Sequence, residues 1–351
     1  MFRLSMDPRT EEILEKIIVH FIKNAEPIGS RMLSKVLKQK LSPATIRNVM
    51  SDLSDMGFIE QPHTSAGRIP TDAGYRYYIN KLVTQSNSSS PDQYIDQVEG
   101  EELTQHNRLE DILLDATKEL SSLTNCAGIV ISPKFSASRL KQLQLVKLSD
   151  KQILVVIVTQ IGMVHNKVIH LRTCPDQEDL NKMAVILLEL FEGKSIAQIR
   201  KNLVDKLSKT KEEYDPFIIQ TIRLGKKAFD IDSHGELFIS GRSKMCSYPE
   251  FNDQNKLMAV YKVFEEKTSL TDFMIEAMDN EGLKINIGAE NQDNGLITCS
   301  VIAGTYGNQG YMLGSIGIVG PTRINYPNVI TAIQYSTEKL SFSLSRFLDN
   351  N

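Results

Sequence analysis

One stretch constrains this chain more than any other: residues 42–76, SPATIRNVMSDLSDMGFIEQPHTSAGRIPTDAGYR. Ser42 suits a helix N-cap, and Pro43 the first helical position, where a missing N–H costs nothing. Ile46, Val49, Met50 and Leu53 then recur at the i, i+3, i+4, i+7 spacing of one buried stripe, and Gly57 supplies a left-handed stop. Two residues turn a helix by about 200°, so Ala44, Arg47, Asn48 and Ser51 occupy the face opposite that stripe. They are small or polar, able to enter a major groove and meet base edges, whereas a merely solvated face more often carries Glu and Lys. Next, Phe58–Gln61 reads as a short strand ended by Pro62, and the loop His63-Thr64-Ser65-Ala66-Gly67-Arg68 offers hydroxyls, a glycine for close approach and a cation. Ile69 and Pro70 lead out of the loop, and Thr71 can cap a helix opening Asp72-Ala73-Gly74-Tyr75. Such a loop suits phosphates and a minor groove. Each half alone fits an ordinary helix or an ordinary hairpin; the two in this order favour the recognition helix and wing of a winged helix-turn-helix.

The residues upstream supply the rest of that motif. Asp7 and Pro8 can open a first helix, with Ile13, Leu14, Ile17, Ile18 and Phe21 as its apolar stripe. Pro27 and Gly29 break the chain, and Ser30 starts a second helix with Met32, Leu33, Val36 and Leu37 expected to face inward. In this order the following helix enters the groove and its predecessor steadies it. The candidate DNA-contacting residues are Ser30, Arg31, Ser42, Ala44, Thr45, Arg47, Asn48, Ser51, His63, Thr64, Ser65, Gly67 and Arg68. Arg47 fits a guanine edge, Asn48 an adenine edge, and Arg68 a phosphate or the minor groove. For Ser30 and Arg31, at a helix start, plain capping stands beside phosphate contact as an equal reading. Tyr75, Tyr77, Tyr78, Ile79 and Leu82 form an aromatic exit helix, more in keeping with packing at a core edge than with touching DNA.

Charge agrees in sign. The net charge of −3 divides unevenly: residues 1–85 carry twelve Lys and Arg against nine Asp and Glu, a net +3, and the remainder a net −6. A positive head would approach DNA while an acidic body is held away from it. With 41% hydrophobic and 24% charged residues, the 351-residue chain is ordinary for a globular protein of two or three domains. No apolar run approaches membrane length and no secretory signal opens the chain, so a cytoplasmic setting is expected. Cys126, Cys174, Cys246 and Cys299 are scattered without a CxxC pair, which suggests neither a zinc site nor a disulfide framework.

Beyond residue 85 a polar linker, 86–100, contains SNSSSPDQ. A helix with Leu109, Ile112, Leu113, Leu120 and Leu123 follows, then strand signals at 126–131, 143–148, 153–158 and 163–171. Helical stretches fill 176–229, a strand signal falls at 236–239 and two helices follow near 255–278. Strands at 283–287, 297–302 and 312–319 close the sheet, and a helix near 325–347 ends the chain. Strands, then mostly helices, then strands describe an α+β domain interrupted by an insertion.

Nothing nominates a catalytic set. Gly310, Gly314, Gly317 and Gly320 fit neither a Walker nor a dinucleotide pattern, and they punctuate apolar residues as in a strand ending at Pro321. Arg323 and Asn325 then belong to a turn or a domain contact. His165 and His170, five apart on a strand, point to opposite faces, against a shared metal. Glu290 and Asp293 lie near a turn with no evident partner. No enzyme activity, cofactor or metal is expected.

The stretches EPIGSRMLSK (26–35), SPATIRNVMSDL (42–53), PHTSAGRIPTDAGYRYY (62–78), IGAEN (287–291) and GSIGIVGPTRINY (314–326) resemble the HrcA family of bacterial heat-inducible transcription repressors. They lie near both ends of the chain, so the likeness is to the whole protein. It implies an α+β multidomain fold: a winged helix-turn-helix over 1–85, then a GAF-like domain in two halves, 101–174 and 251–351, holding an inserted dimerising domain at 175–250. It also implies a homodimer on double-stranded DNA, at the inverted-repeat operator called CIRCE before heat-shock chaperone operons, with activity maintained by the GroE chaperonin. The alternative left open by fold analogy is a ligand-gated regulator sensing a small molecule in the GAF-like domain. Ser54 and Ile324-Asn325 depart from the family's usual acidic residue and Met-Asp, away from the reading face.

Overall fold

A computed structural model describes residues 6–37, 41–63, 66–86, 108–133, 138–160, 162–209, 215–230, 235–279, 282–308 and 311–349. The N-terminal head begins with α1 (Pro8–Asn24), opened by the Asp7 carboxylate, which accepts from the Arg9 and Thr10 N–H groups at 3.0 and 3.1 Å. Its Ile13, Leu14, Ile17 and Ile18 are fully buried. Helices α2 (Ser30–Val36) and α3 (Pro43–Asp55) follow, then a two-stranded antiparallel hairpin, β1 (Ile59–Glu60) and β2 (Ile69–Pro70), and α4 (Asp72–Ser86). Leu33 and Leu37 bury the inner edge of α2, but Met32 and Val36, expected inward, are about half exposed. Leu33 and Leu37 stand one turn apart, and Met32 and Val36 are each rotated from them by about 100°. A seven-residue helix on the rim of the head has neighbours for only one stripe.

The body is built on a five-stranded antiparallel sheet in the order β7-β3-β10-β9-β8. These strands are β3 (Ala127–Ile131), β7 (Leu237–Ser240), β8 (Lys284–Ile287), β9 (Cys299–Asn308) and β10 (Tyr311–Pro321). Both faces are covered, so β3 is buried along its whole length. Alternation divides it: Val130 joins a core with helices α5 (Leu109–Thr124) and α11 (Tyr326–Asp349), while Ile129 and Ile131 join another with α9 (Gln254–Glu266) and α10 (Thr268–Met278). The run holding Gly314, Gly317 and Gly320 is the central strand β10, as its apolar spacing suggests, and Gly310 lies outside the described residues.

A second, three-stranded antiparallel sheet stands apart: β4 (Leu140–Ser149), β5 (Gln152–Thr159) and β6 (Val164–His170). Helices α6 (Gln177–Phe191), α7 (Ile196–Lys209) and α8 (Pro216–Ala228) share with it a separate apolar core running from Leu140 to Phe229. The sequence expectation put β4–β6 into the first half of the body's sheet and began the inserted unit at 175. The pairing puts these strands with the inserted helices instead, and β7, expected inside the insertion, belongs to the five-stranded sheet. Period-2 burial of Ile153, Val155 and Ile157 tells that one face of β5 is covered, but not by what.

Three of the four thiols are buried. Burial pushes Cys126 up to about 11 and Cys299 up to about 12, and raises Cys174 as well, whereas Cys246 is exposed. A thiol reagent at about pH 8 should therefore label Cys246 quickly in the folded protein and all four cysteines in urea, since the thiolate is the reacting form. Rapid labelling of a second thiol without denaturant would contradict this core.

Candidate nucleic-acid interface

The interface is assembled around α3. The Ser42 hydroxyl accepts from the Thr45 N–H at 3.1 Å and bonds the Thr45 hydroxyl at 2.9 Å, so both residues are engaged in capping the helix. Ile46, Met50 and Leu53 are buried and Val49 half-buried, which pins the inner face. The helix ends where Gly57 adopts φ +78°, a left-handed conformation that only glycine takes readily, and the Phe58 N–H reaches back to the Leu53 carbonyl at 3.0 Å. With both ends and one face fixed, Ala44, Arg47, Asn48 and Ser51 all lie exposed on one side, as the spacing requires. Among the described residues no side chain pairs with Arg47 or Asn48. Arg47 is on the half of α3 nearer its positive dipole end, whereas Asp52 and Asp55 are exposed at the other end. Anion binding is thus favoured at the N-terminal half.

The hairpin is tied to this helix rather than hanging free. Arg68 donates from Nε to the Ser54 hydroxyl at 3.2 Å, and its backbone forms an antiparallel bridge with Ile28, at 2.9 and 3.1 Å. Arg68 is consequently half-buried at the hairpin base, and His63 is exposed near the tip. Thr64 and Ser65, both candidate contacts, lie outside the described residues. Gly67 permits a close approach, but the partner is internal: a Cβ there would come within 2.4 Å of the Ile28 carbonyl carbon. Its lack of a side chain is therefore accounted for by the join between the hairpin and the α1–α2 turn, not by access to a ligand. Gly29, not Ser30, is the N-cap of α2; Ser30 is half-buried in its first turn and Arg31 is exposed. Capping, the plainer reading of Ser30, does not describe it.

Helix α4 bears out the packing reading of its tyrosines. Tyr75 and Tyr78 are buried, and Tyr77 lies half-buried with its ring 5.6 Å from that of Phe58. Lys81 pairs with Glu11 and Glu15 of α1 at 3.1 and 3.3 Å. Sequence reasoning missed Ser54 as the partner of Arg68, because no local periodicity links positions fourteen apart. It also missed Arg76, whose guanidinium binds Glu290 on the body.

The profile described as "HrcA protein C terminal domain" matches residues 110–330. "Heat-inducible transcription repressor HrcA" of Geobacter sulfurreducens is 34% identical over 338 residues, covering 95% of this chain and 96% of that relative. The protein of the same name from Bacillus pumilus is 35% identical over 341 residues, covering 96% and 97%. A solved protein described only as hypothetical shares the fold, with a TM-score of 0.62 at 22% identity over 98% of this chain and 100% of its own. These likenesses define a class of transcription repressors rather than of enzymes. The chain belongs to the HrcA family.

Two substitutions test the geometry without DNA. Ser42→Ala should cost about 1 kcal/mol through the lost cap, and Gly67→Ala about 1–3 kcal/mol through overpacking against Ile28. Urea unfolding measures both. A Gly67→Ala chain as stable as the parent would contradict the join described.

Proposed function

We propose that this protein is a heat-inducible transcription repressor, a cytoplasmic homodimer that binds the inverted-repeat CIRCE operator of heat-shock chaperone operons. On this reading residues 6–86 are a winged helix-turn-helix, with α3 as the recognition helix and β1–β2 as the wing. The five-stranded unit is the GAF-like domain, and the unit around β4–β6 is the inserted dimerising domain. The observation that supports the reading most is the outward row Ala44, Arg47, Asn48 and Ser51 on a helix whose other face buries Ile46, Met50 and Leu53. The names of the relatives supply the heat response.

A second copy has a surface to meet. The face of β4–β6 turned away from α6–α8 carries valines and a leucine among amides: Val146, Leu154 and Val168 stand in one cross-strand row, Val158 and Val164 beside Gln142 in another, and Val156 lies between them flanked by Gln144 and Asn166. Val164 is 59% exposed and Val168 45%. Exposed apolar residues of this kind on a sheet face favour association, and a two-fold pair would present two heads to two half-sites. In the heads, Arg47 takes a guanine edge and Asn48 an adenine edge, with Ser51 and Ala44 beside them. On this reading Ser30, Arg31, Ser42, Thr45 and the hairpin residues His63, Thr64, Ser65, Gly67 and Arg68 are assigned to the DNA backbone, those held in internal contacts acting chiefly by placing the surface.

Loss of one bidentate base contact costs about 1–3 kcal/mol. In a mobility-shift assay Arg47→Ala should weaken binding to an inverted-repeat duplex by that amount and narrow its preference over scrambled DNA. Unchanged affinity for both duplexes would remove Arg47 from the reading face.

Heat acts through marginal stability: the folded population falls steeply on warming, and a chaperonin occupied by other clients restores less of it. Operator binding after a heat pulse should recover more fully with GroE and ATP than without. Equal recovery in both would contradict the chaperonin's part.

A further inference from the structure

The head and body meet along a seam whose polar contacts come from residues with no evident role in touching DNA. Asp72, in the first turn of α4, accepts from the Ala289 N–H at 2.9 Å. One turn later Arg76 donates from Nε to Glu290 Oε1 at 2.8 Å, pairs with Glu290 Oε2 and donates to the Ile285 carbonyl at 2.6 Å. The body's side is shaped to receive them. Gly288 adopts φ +51°, and a Cβ there would collide with the Asp72 carboxylate, so the backbone and the acid share space that only glycine leaves open. Glu290 is itself held by the Ile287 N–H at 2.9 Å. Two further contacts frame the seam. The rings of Tyr75 and Tyr326 lie 5.7 Å apart, and Arg323, paired with Glu250, donates to the Ile22 carbonyl of α1 at 2.9 Å. One apolar core also runs without a break from α1 to α11.

We propose that Asp72 and Arg76 are positioning residues for operator recognition: they lock each head onto the edge strand β8 and the turn that follows it, so that a dimer presents its two α3 helices at one set separation. This rests on the reading that the head binds DNA as a dimer. The bifurcated Arg76 contact is suited to the task, because a planar guanidinium gripping a carboxylate and a carbonyl fixes angle as well as distance. Neither residue belongs to the outward row of α3, so their loss acts on presentation, not on contact with bases. A fixed separation also accounts for selectivity among inverted repeats: two linked heads gain affinity only where both half-sites can be reached at once.

The full chain carrying Cys246→Ser and paired spin labels at Met32→Cys on α2 and Met258→Cys on α9, both exposed positions, reports the seam directly. It is mixed with excess unlabelled chain so that one labelled copy sits in each dimer. A single narrow distance is expected, broadening in Asp72→Asn/Arg76→Gln; equal widths would overturn the proposal. Should the double variant fail to fold, Arg76→Lys, which keeps the charge and loses the fork, takes its place with the same expectation. The second arm measures affinity for inverted repeats with the natural half-site spacing, with two base pairs added or removed, and for a single half-site. The parent should lose about tenfold or more off the natural spacing, the variant less than about threefold, with single half-site affinities within about twofold of each other. A variant that retains the parent's spacing preference overturns the proposal. If the parent binds none of these duplexes, the DNA reading has failed, and the distance distributions still decide whether the seam locks.

Discussion

Burial of three side chains, Ile46, Met50 and Leu53, sets the direction of everything outward on α3. Each fully buried side chain of this size is worth about 1.5–3 kcal/mol. Turning the helix by half a revolution would forfeit all three and bury the Arg47 guanidinium without a partner, a further cost of several kcal/mol. The outward row is therefore held by the core rather than by contacts of its own. The ends add precision: the Ser42 cap, the left-handed Gly57 and the Arg68–Ser54 bond leave the helix little freedom to slide or roll. A polar face presented with open hydrogen-bonding capacity on a rigid scaffold suits recognition of an extended polyanion.

The same economy governs the join between head and body. The apolar core passes from α1 and α4 into α5 and α11, while polar residues at its rim set the angle. Apolar contact alone tolerates rotation; the Arg76, Asp72 and Arg323 contacts do not. The inserted unit differs in having a core of its own, shared between β4–β6 and α6–α8.

Much of the head was legible in the chain because its information is local. Caps, stops and a four-residue stripe lie within a few residues of what they specify, so the bounds of α3 and the identity of its outer face followed from spacing. What depended on distant partners did not. Alternation in β4–β6 marks a covered face without naming the cover, so it does not tell that these strands form a sheet of their own. Gly67 announced a close approach but not that Ile28 would make it. Glu290 looked unpartnered because Arg76 lies 214 positions away. Arg323, whose place in the sequence fits a turn or a domain contact, serves as both: it sits in the turn after β10 and donates to the Ile22 carbonyl of the head. Met32 and Val36 differ for another reason: their apolar character suggests burial, but a helix this short has no cover for a second stripe.

Hydrogen–deuterium exchange on the full chain, with and without a saturating inverted-repeat duplex, bears most directly on whether the outward face of α3 meets DNA. Slowed exchange is expected in the first two turns of α3 and in the β1–β2 hairpin, with the five-stranded sheet little changed. Saturation of the protein by duplex with α3 exchanging as fast as in the free chain would contradict it.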